Sequence, residues 1–175
     1  HVLGHCIAYT YVVEYQKRNL PHGYILLILD KNDAPSSAID IDKLVCAEIP
    51  NIDLHPLLHK YVIQKMMHGP CGDLNPNCVC MKDGECTKHF PKTCYKTTAF
   101  TDGTYPTYRR RCRYTIIKRG HEISDEFVVP YSPYLLYKYK CHINVEICTS
   151  FHVVKYLYKY VWKGHAKSEM NLVPN

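Results

Sequence analysis

The chain has 175 residues, of which 46% are apolar, and a formal net charge of +6. This length suits one domain with a hydrophobic core and excludes two domains of ordinary size. No run of about 18 apolar residues is present, which excludes a membrane-spanning helix, and the first residues lack the pattern of a signal peptide. We therefore expect one domain over residues 1–175, soluble and intracellular, with no membrane partner.

Two strands are predicted at the start of the chain. Residues 7–16 and 24–29 are β-branched, aromatic or aliphatic, and turn-forming residues separate them. The pattern predicts an antiparallel pair, and its second strand, apolar on both faces, is typical of the centre of a sheet. That strand extends back to include His22. Period-2 geometry places His22 and Tyr24 on one face of it.

Two helices are predicted next. The first covers about residues 38–48, with Ser36 or Ser37 as its N-cap. The second covers residues 53–69 and begins with Asp53 as its cap. We expect core contacts from the apolar residues of the second helix that fall at helical spacing, which are Leu54, Leu57, Leu58, Tyr61, Val62 and Met66.

The rest of the chain is predicted to contain loops, strands and a terminal helix. The predicted elements are a loop over residues 70–91, a hairpin over 101–120, an alternating strand over 141–148 and an amphipathic helix over 150–165. In the terminal helix, Tyr156 and Tyr160 are four residues apart and lie on one face. They are either core aromatics or nucleophiles that need an electrophile activated by a metal or a cation.

The chain contains ten cysteines. Several of them cluster between residues 71 and 94, mostly among glycines and prolines. Because no secretory signal is found, reduced thiols that bind a metal are favoured over disulfides. Thiolates and imidazoles in a tight loop favour a closed tetrahedral Zn²⁺ site, with spectator thiols as the alternative. The candidate ligands of this Cys/His-rich subregion, residues 68–94, are His68, Cys71, Cys78, Cys80, Cys86, His89 and Cys94.

A basic block follows the cysteines. Residues 87–119 contain nine Lys or Arg residues and one acidic residue, Asp102. Tyrosines alternate with the arginines, a pattern that suits phosphate contacts and base stacking along a single DNA strand. The alternative is an ordinary solvated face. The predicted DNA-binding residues of the block are Arg109, Arg110, Arg111 and Arg113.

These segments together resemble the replication-initiator domain of Helitron transposases, which are HUH endonucleases. The resemblance rests, in chain order, on YVVEYQKRNLPHGYILLILD, AEIP, MMHGPCG, CMKDGECTKHFPK, YPTYRRR, VVPYSPYLL, KCHINVEIC and VKYLYKYVWKGH. It implies an α+β fold with a ferredoxin-like central antiparallel sheet, flanking helices and a Cys-rich zinc-binding loop. It also implies a nuclear location and a helicase domain in the same full-length chain.

The resemblance implies a metal-dependent nickase and strand transferase that acts on single-stranded DNA. In such enzymes Mg²⁺ or Mn²⁺ polarises the scissile phosphate, and a helix tyrosine attacks it to form a 5′-phosphotyrosine link, as in rolling-circle transposition. By position in the motif, Tyr156 is the first nucleophile and Tyr160 the second. Three lysines on or near that helix either contact phosphate or are ordinary surface residues. They are Lys155, Lys159 and Lys163.

The sequence departs from the family pattern at one metal ligand, because Tyr24 replaces the second strand histidine. His22 then remains, with Glu14 or Gln16 from the adjacent strand, and spacing does not choose between those two. A neutral phenol is a poor ligand for Mg²⁺. Three explanations of Tyr24 are open. They are a decayed or domesticated copy of the gene, a site that binds its metal through His22, Glu14 or Gln16 and waters, and an artificial change of the residue. The alternative function is therefore a single-stranded DNA-binding module with weakened or no catalysis.

The resemblance also narrows the set of candidate zinc ligands. It favours Cys71, Cys80 and Cys86, with His68 or His89 as the fourth ligand, whereas Cys78 is less typical of the pattern.

Overall fold

The computed structural model describes residues 2–15, 21–100 and 105–148. These residues fall into two compact units, one within residues 1–34 and the other within residues 35–149. Both strands and helices are present, so the α+β class is confirmed. The described strands form three separate two-stranded antiparallel sheets. None of the described helices is long and apolar enough to cross a membrane.

The first unit contains one strand pair. β1 (Cys6–Tyr15) runs antiparallel to β2 (Pro21–Leu29), as the alternating pattern predicts. Proline lacks an N–H and is tolerated at the first residue of a strand, where Pro21 lies. The prediction that β2 is covered on both faces is wrong for the described residues, since Ile25 and Leu27 are exposed. Within the described chain, β2 pairs only with β1, so it is not the central strand of a larger sheet there.

The second unit begins with α1 (Ala38–Leu44), which is shorter than predicted. Ser37 is its N-cap, and the Ser37 side chain accepts a hydrogen bond from the backbone N–H of Asp40. The helix ends before Glu48 because Cys46 pairs with Tyr131 through backbone hydrogen bonds of 2.8 and 2.9 Å. Non-local pairing here replaces the helical hydrogen bonds that would extend α1.

The second helix also starts later than predicted. α2 (Pro56–Tyr61) continues into a π-helical turn over Val62–Met66. Asp53 is not its cap, because Asn51 Oδ1 accepts the backbone N–H groups of Asp53 and Leu54 in a turn before the helix. The core prediction holds for Val62 and Met66, which are buried, and for Leu58 and Tyr61, which pack against that core; it is wrong for Leu54 and Leu57, which are exposed.

Two short hairpins and a third helix complete the unit. β3 (Met81–Lys82) pairs with β4 (Glu85–Cys86), and β5 (Ile116–Lys118) pairs with β6 (His121–Ile123). The hairpin predicted over residues 101–120 is therefore displaced towards the C-terminus. A 3-10 turn (Asp125–Phe127) and α3 (Pro133–Tyr139) follow. Residues 141–148, predicted as a strand, have no strand assignment; Val145 N–H instead donates to the carbonyl of Pro130.

Two hydrophobic clusters form the core of this unit. The larger one packs the π-helical turn and α3 around the 3-10 turn; its fully buried members include Val62, Met66, Phe127, Val128, Tyr131 and Leu136. Cys71 and Cys86 belong to the same cluster. The smaller cluster contains Ile41, Val45, Ala47 and Tyr108. The Cys/His-rich loop is thus attached directly to the larger core.

Candidate metal centre

Four side chains of the Cys/His-rich subregion converge on one point. The ligand atoms of His68, Cys71, Cys80 and Cys86 all lie within 4.8 Å of one another. A Zn–S bond of about 2.3 Å puts tetrahedral ligand atoms about 3.8 Å apart. The four residues, called the tetrad below, could therefore hold a metal ion after small side-chain adjustments.

His68 is positioned by the end of the π-helical turn. Its backbone N–H donates to the carbonyl of Phe127 at 2.8 Å. Its imidazole stacks on the Phe90 ring with 4.3 Å between centroids and 12° between planes. Backbone pairing and ring stacking together fix the direction in which the imidazole points.

A tight hairpin positions Cys80 and Cys86. Cys80 immediately precedes β3, and Cys86 ends β4. The turn between the strands is Asp83–Gly84, and both residues have positive φ, 52° and 82°. An Asp-Gly pair suits this two-residue turn because glycine, and to a lesser extent Asp, tolerates such backbone angles. The hairpin thereby brings two thiols six positions apart to the same place.

Cys71 reaches the tetrad from the other side of the loop. It is almost fully buried, at 1% exposed. The next residue, Gly72, has a φ of +66°, and its N–H donates to the Met81 sulfur at 3.2 Å. This contact ties the chain after Cys71 to the hairpin.

The environment of the tetrad shifts the pKa values of its side chains. Burial, with a smaller contribution from nearby lysines, lowers the pKa of His68 and favours the neutral imidazole that binds metals. Burial raises the pKa of Cys71 to about 11, and that of Cys80 is raised for the same reason. Cys86 differs, because backbone hydrogen bonds from Phe90 and Lys88 outweigh burial and lower its pKa. Without a metal, the raised pKa values keep Cys71 and Cys80 protonated at neutral pH.

The structure selects among the predicted zinc ligands. His68 joins the three cysteines, whereas His89 and Cys78 are not part of the tetrad. His89 is exposed and has a φ of 56° in the turn after β4. Cys78 lies two residues before Cys80 but contributes no ligand atom to the group.

The expectation of thiols without disulfides is wrong for one pair. Cys94 and Cys112 form a disulfide with a Cα–Cα distance of 6.2 Å. The pairing follows from a non-local backbone bridge between Tyr95 and Arg110, which brings the two cysteines within the usual span of a disulfide. Cys94 is therefore not a metal ligand.

The first unit brings together two of the predicted catalytic metal ligands. Glu14 of β1 lies directly opposite His22 of β2, and Val12 lies opposite Tyr24. Residues directly opposite in an antiparallel pair share a face, with Cβ atoms about 5 Å apart. A carboxylate, an imidazole and a phenol thus lie along one face. Gln16, the other candidate, is outside the described residues.

Three of the four predicted DNA-binding arginines have partners within the chain. Arg111 donates from Nε and Nη2 to both carboxylate oxygens of Glu48, at 2.5 and 2.6 Å. Arg109 donates to Glu48 at 3.2 Å and to Asp42 at 2.8 Å. Burial alone would raise the pKa of Glu48, but the hydrogen bonds from Arg111 outweigh it and lower that pKa. Glu48 therefore anchors both guanidinium groups.

Arg110 and Arg113 differ from this pair. Arg110 is buried and donates from Nη1 to the carbonyl oxygens of Asp125 and Val128, at 2.5 and 2.7 Å. Burial lowers its pKa to about 10. Arg113 is exposed, and its guanidinium has no hydrogen bond or ion pair among the described residues. DNA contact by any of the four arginines stays a prediction.

The predicted nucleophiles lie outside the described residues. These positions are Tyr156 and Tyr160, together with Lys155, Lys159 and Lys163. Their assignment rests on the sequence motif.

Sequence reasoning missed Glu48, the acid that organises the arginines. Its partners lie 61 and 63 residues further along the chain. No local pattern connects them. The Asp83–Gly84 turn was also missed, although an Asp-Gly pair between alternating residues is a recognised hairpin signal.

Comparison with protein-family models gives no match for this chain, and comparison with curated proteins gives none either. The assignment of the metal centre therefore rests on its own geometry.

Proposed function

We propose that the chain is a metal-dependent single-stranded DNA endonuclease and strand transferase of the HUH type. The observation that carries the proposal is the register of the first unit, which pairs Glu14 with His22 on one face. This register supplies a carboxylate and an imidazole from adjacent strands. The ordered motifs that resemble the Helitron replication-initiator domain give the pair its functional context.

The donor set of this face fits a divalent cation of the Mg²⁺ or Mn²⁺ kind. Such ions take oxygen ligands and usually keep several waters, so one carboxylate suffices as an anchor. Mn²⁺ also accepts imidazole more readily than Mg²⁺ does. A bound cation would supply electrostatic stabilisation of charge that develops on a scissile phosphate. Glu14 and His22 would hold it, and water would take the place of the third protein ligand that Tyr24 does not supply.

In the proposed reaction, the hydroxyl oxygen of Tyr156 bonds to phosphorus and the 3′-oxygen of the preceding nucleotide leaves. The phenol proton is lost and the leaving oxygen gains one, so a 5′-phosphotyrosine and a free 3′-hydroxyl form without water or ATP. Tyr160 then accepts a second strand for transfer or termination. Lys155, Lys159 and Lys163 would contact phosphate. A nuclear location and a helicase domain in the full-length chain belong to the same proposal.

We further propose that the tetrad binds structural Zn²⁺. Three thiolates and one imidazole are the ligand types that select zinc among divalent cations. Four protein ligands leave no open position for water, so the ion would stabilise the loop rather than catalyse a reaction. Its place beside the larger core supports this role.

Tyr24 favours a second candidate function, a single-stranded DNA-binding module in which catalysis is weakened or lost. A neutral phenol replaces an imidazole at the catalytic metal site. Loss of such a ligand would weaken metal affinity by about 10- to 100-fold or more. DNA binding would not depend on it.

Incubation with labelled single-stranded oligonucleotides and Mn²⁺, followed by a denaturing gel, separates the two functions. The endonuclease proposal predicts a covalent adduct that Tyr156→Phe abolishes and that the control Tyr158→Phe retains. Tyr24→His should increase the adduct, whereas Tyr24→Phe should not. An adduct that appears only with Tyr24→His would establish that catalysis has decayed, and oligonucleotide binding by the unaltered chain would then establish the binding-module function. Absence of an adduct with both the unaltered chain and Tyr24→His would refute the endonuclease proposal.

A further inference from the structure

A hollow with an apolar lining lies between α2 and α3. Its volume is about 410 Å³, and its lining includes Leu57, Leu58, Pro133, Tyr134 and Tyr137. The two tyrosines are 50% and 53% exposed. Exposed aromatic rings can stack with the flat face of a ligand. Lys138 Nζ lies 5.8 Å from the centroid of the Tyr134 ring and adds a positive charge beside it.

A second hollow continues from the first. Its volume is about 350 Å³, and it shares His55, Leu58 and Pro133 with the first one. Arg109, Arg111, Arg113 and Tyr114 line its other side. The two hollows are therefore adjacent; together they are called the α2–α3 groove below, with aromatic rings in one hollow and guanidinium groups in the other.

The arginine end of the groove is held in place. Glu48 is only 10% exposed at its side chain and fixes two of the guanidiniums by ion pairs. The Tyr114 hydroxyl accepts a hydrogen bond from Asn51 Nδ2 at 3.0 Å, which restrains its ring. Groups fixed in this way lose little conformational entropy when a ligand binds.

The charge at this end favours an anionic occupant. Three arginines line it, but Arg109 is paired with Asp42 and Glu48 and Arg111 with Glu48, so the unpaired positive charge comes from Arg113. Asp125 is buried, and its carboxylate accepts the backbone N–H groups of Ile49 and Cys112. Arg113 has no partner among the described residues and is available to an incoming phosphate.

We infer that the α2–α3 groove binds unpaired nucleotides of single-stranded DNA, with bases stacked on Tyr134 and Tyr137 and a phosphate on Arg113. The inference rests on the proposed function for the identity of the strand and locates where that strand runs. Aromatic rings next to cationic groups suit a single strand, because its bases are free to stack, whereas a duplex hides their faces. An acidic peptide is the rival occupant.

The test is the salt-dependent affinity of the zinc-loaded chain for a labelled oligothymidylate of about 16 nucleotides, without Mn²⁺ so that no cleavage occurs. Tyr134→Ala should weaken binding by about fivefold or more and leave the salt slope unchanged. Arg113→Ala should reduce the slope of log affinity against log salt by about 0.7. Tyr139→Ala is the aromatic control, since Tyr139 is 56% exposed on the same helix but outside the groove. Lys82→Ala is the cation control.

Tyr137 packs edge-on against Tyr61 with 6.2 Å between centroids, so its truncation could loosen α3. Tyr137→Leu keeps apolar volume while removing the stacking face, and it should reproduce the effect of Tyr134→Ala. Zinc content and circular dichroism confirm the fold of each variant.

The inference is overturned if the groove variants bind the oligonucleotide as tightly as the two controls do. It is also overturned if the unaltered chain ignores the oligonucleotide and binds an acidic peptide instead. The covalent-adduct assay separates this outcome from failure of the nickase proposal. If the adduct forms and the groove variants bind DNA normally, the DNA contact lies elsewhere. If binding depends on the groove but no adduct forms, only the nickase proposal fails.

Discussion

Substitution of one tetrad cysteine should weaken zinc binding and so lower the free energy of unfolding. A second cysteine in the same loop provides the control. Cys80 and Cys78 are two residues apart, half-buried and in the same loop, but only Cys80 contributes a sulfur to the tetrad. Serine keeps the size of each side chain and removes the soft thiolate. Cys80→Ser should therefore weaken zinc binding, and Cys78→Ser should not.

The magnitude follows from linkage between binding and folding. A metal that binds only the folded chain stabilises it by RT ln(1 + [L]/Kd), so a 100-fold loss of affinity at fixed free zinc costs about 2.7 kcal/mol. Loss of the metal should also destabilise the core, because Cys71 and Cys86 belong to the same buried cluster as Val62 and Phe127. Cys78→Ser should cost about 1 kcal/mol or less, because it removes no metal ligand, although the Cys78 side chain hydrogen-bonds that of Cys80.

Urea unfolding at a buffered free zinc concentration, followed by circular dichroism, measures both variants. Zinc content per chain is determined on the same samples. Equal free energies of unfolding for the two variants would refute the assignment of the tetrad. So would a chain whose stability does not change when a chelator removes the metal.

Four further predictions follow from the second unit. Glu48→Ala leaves the guanidiniums of Arg109 and Arg111 without this ion-pair partner and should lower the free energy of unfolding by about 3 kcal/mol. The control Lys43→Ala removes an exposed ion pair and should lower it by about 0.5 kcal/mol in the same urea titration. The lowered pKa of Glu48 means that its contribution is present above the ordinary carboxyl pKa of 4.5 and is lost as pH falls through the folded value, so Glu48→Gln should flatten the acid side of a stability–pH profile. Replacement of both Cys94 and Cys112 by serine opens a loop with a sequence separation of 18 and should lower the thermal midpoint, at a cost of about 3 kcal/mol; an unchanged midpoint would contradict this. Calorimetry in buffers of different ionisation enthalpy should show that zinc uptake releases protons and weakens as pH falls, because two tetrad thiols have raised pKa values.

The elements predicted best from the sequence are those specified by local pattern. The pairing of β1 with β2 follows from two alternating runs with a turn between them. The Ser37 cap follows from its position before a helical pattern. All four tetrad residues are among the seven candidates that follow from soft ligands clustered in a short loop, and the family resemblance favoured its three cysteines.

The features that sequence reasoning missed or left open depend on contacts distant in the chain. His68 rather than His89 joins the tetrad because the chain after the π-helical turn pairs with the 3-10 turn, through the hydrogen bond from His68 N–H to Phe127. The disulfide requires residues 94 and 112 to meet across a backbone bridge. Helical spacing alone made Leu54 a core residue, although the turn set by Asn51 places it before the helix begins.

Identification of the covalently modified residue tests the proposed function most directly. The chain is incubated with single-stranded DNA and Mn²⁺, digested, and its nucleotide-bearing peptide is sequenced by mass spectrometry. The proposal predicts a phosphodiester-linked nucleotide on Tyr156, and on Tyr160 when a second strand is present. A modified tyrosine elsewhere, or unmodified peptides under conditions in which Tyr24→His is also inert, would contradict it.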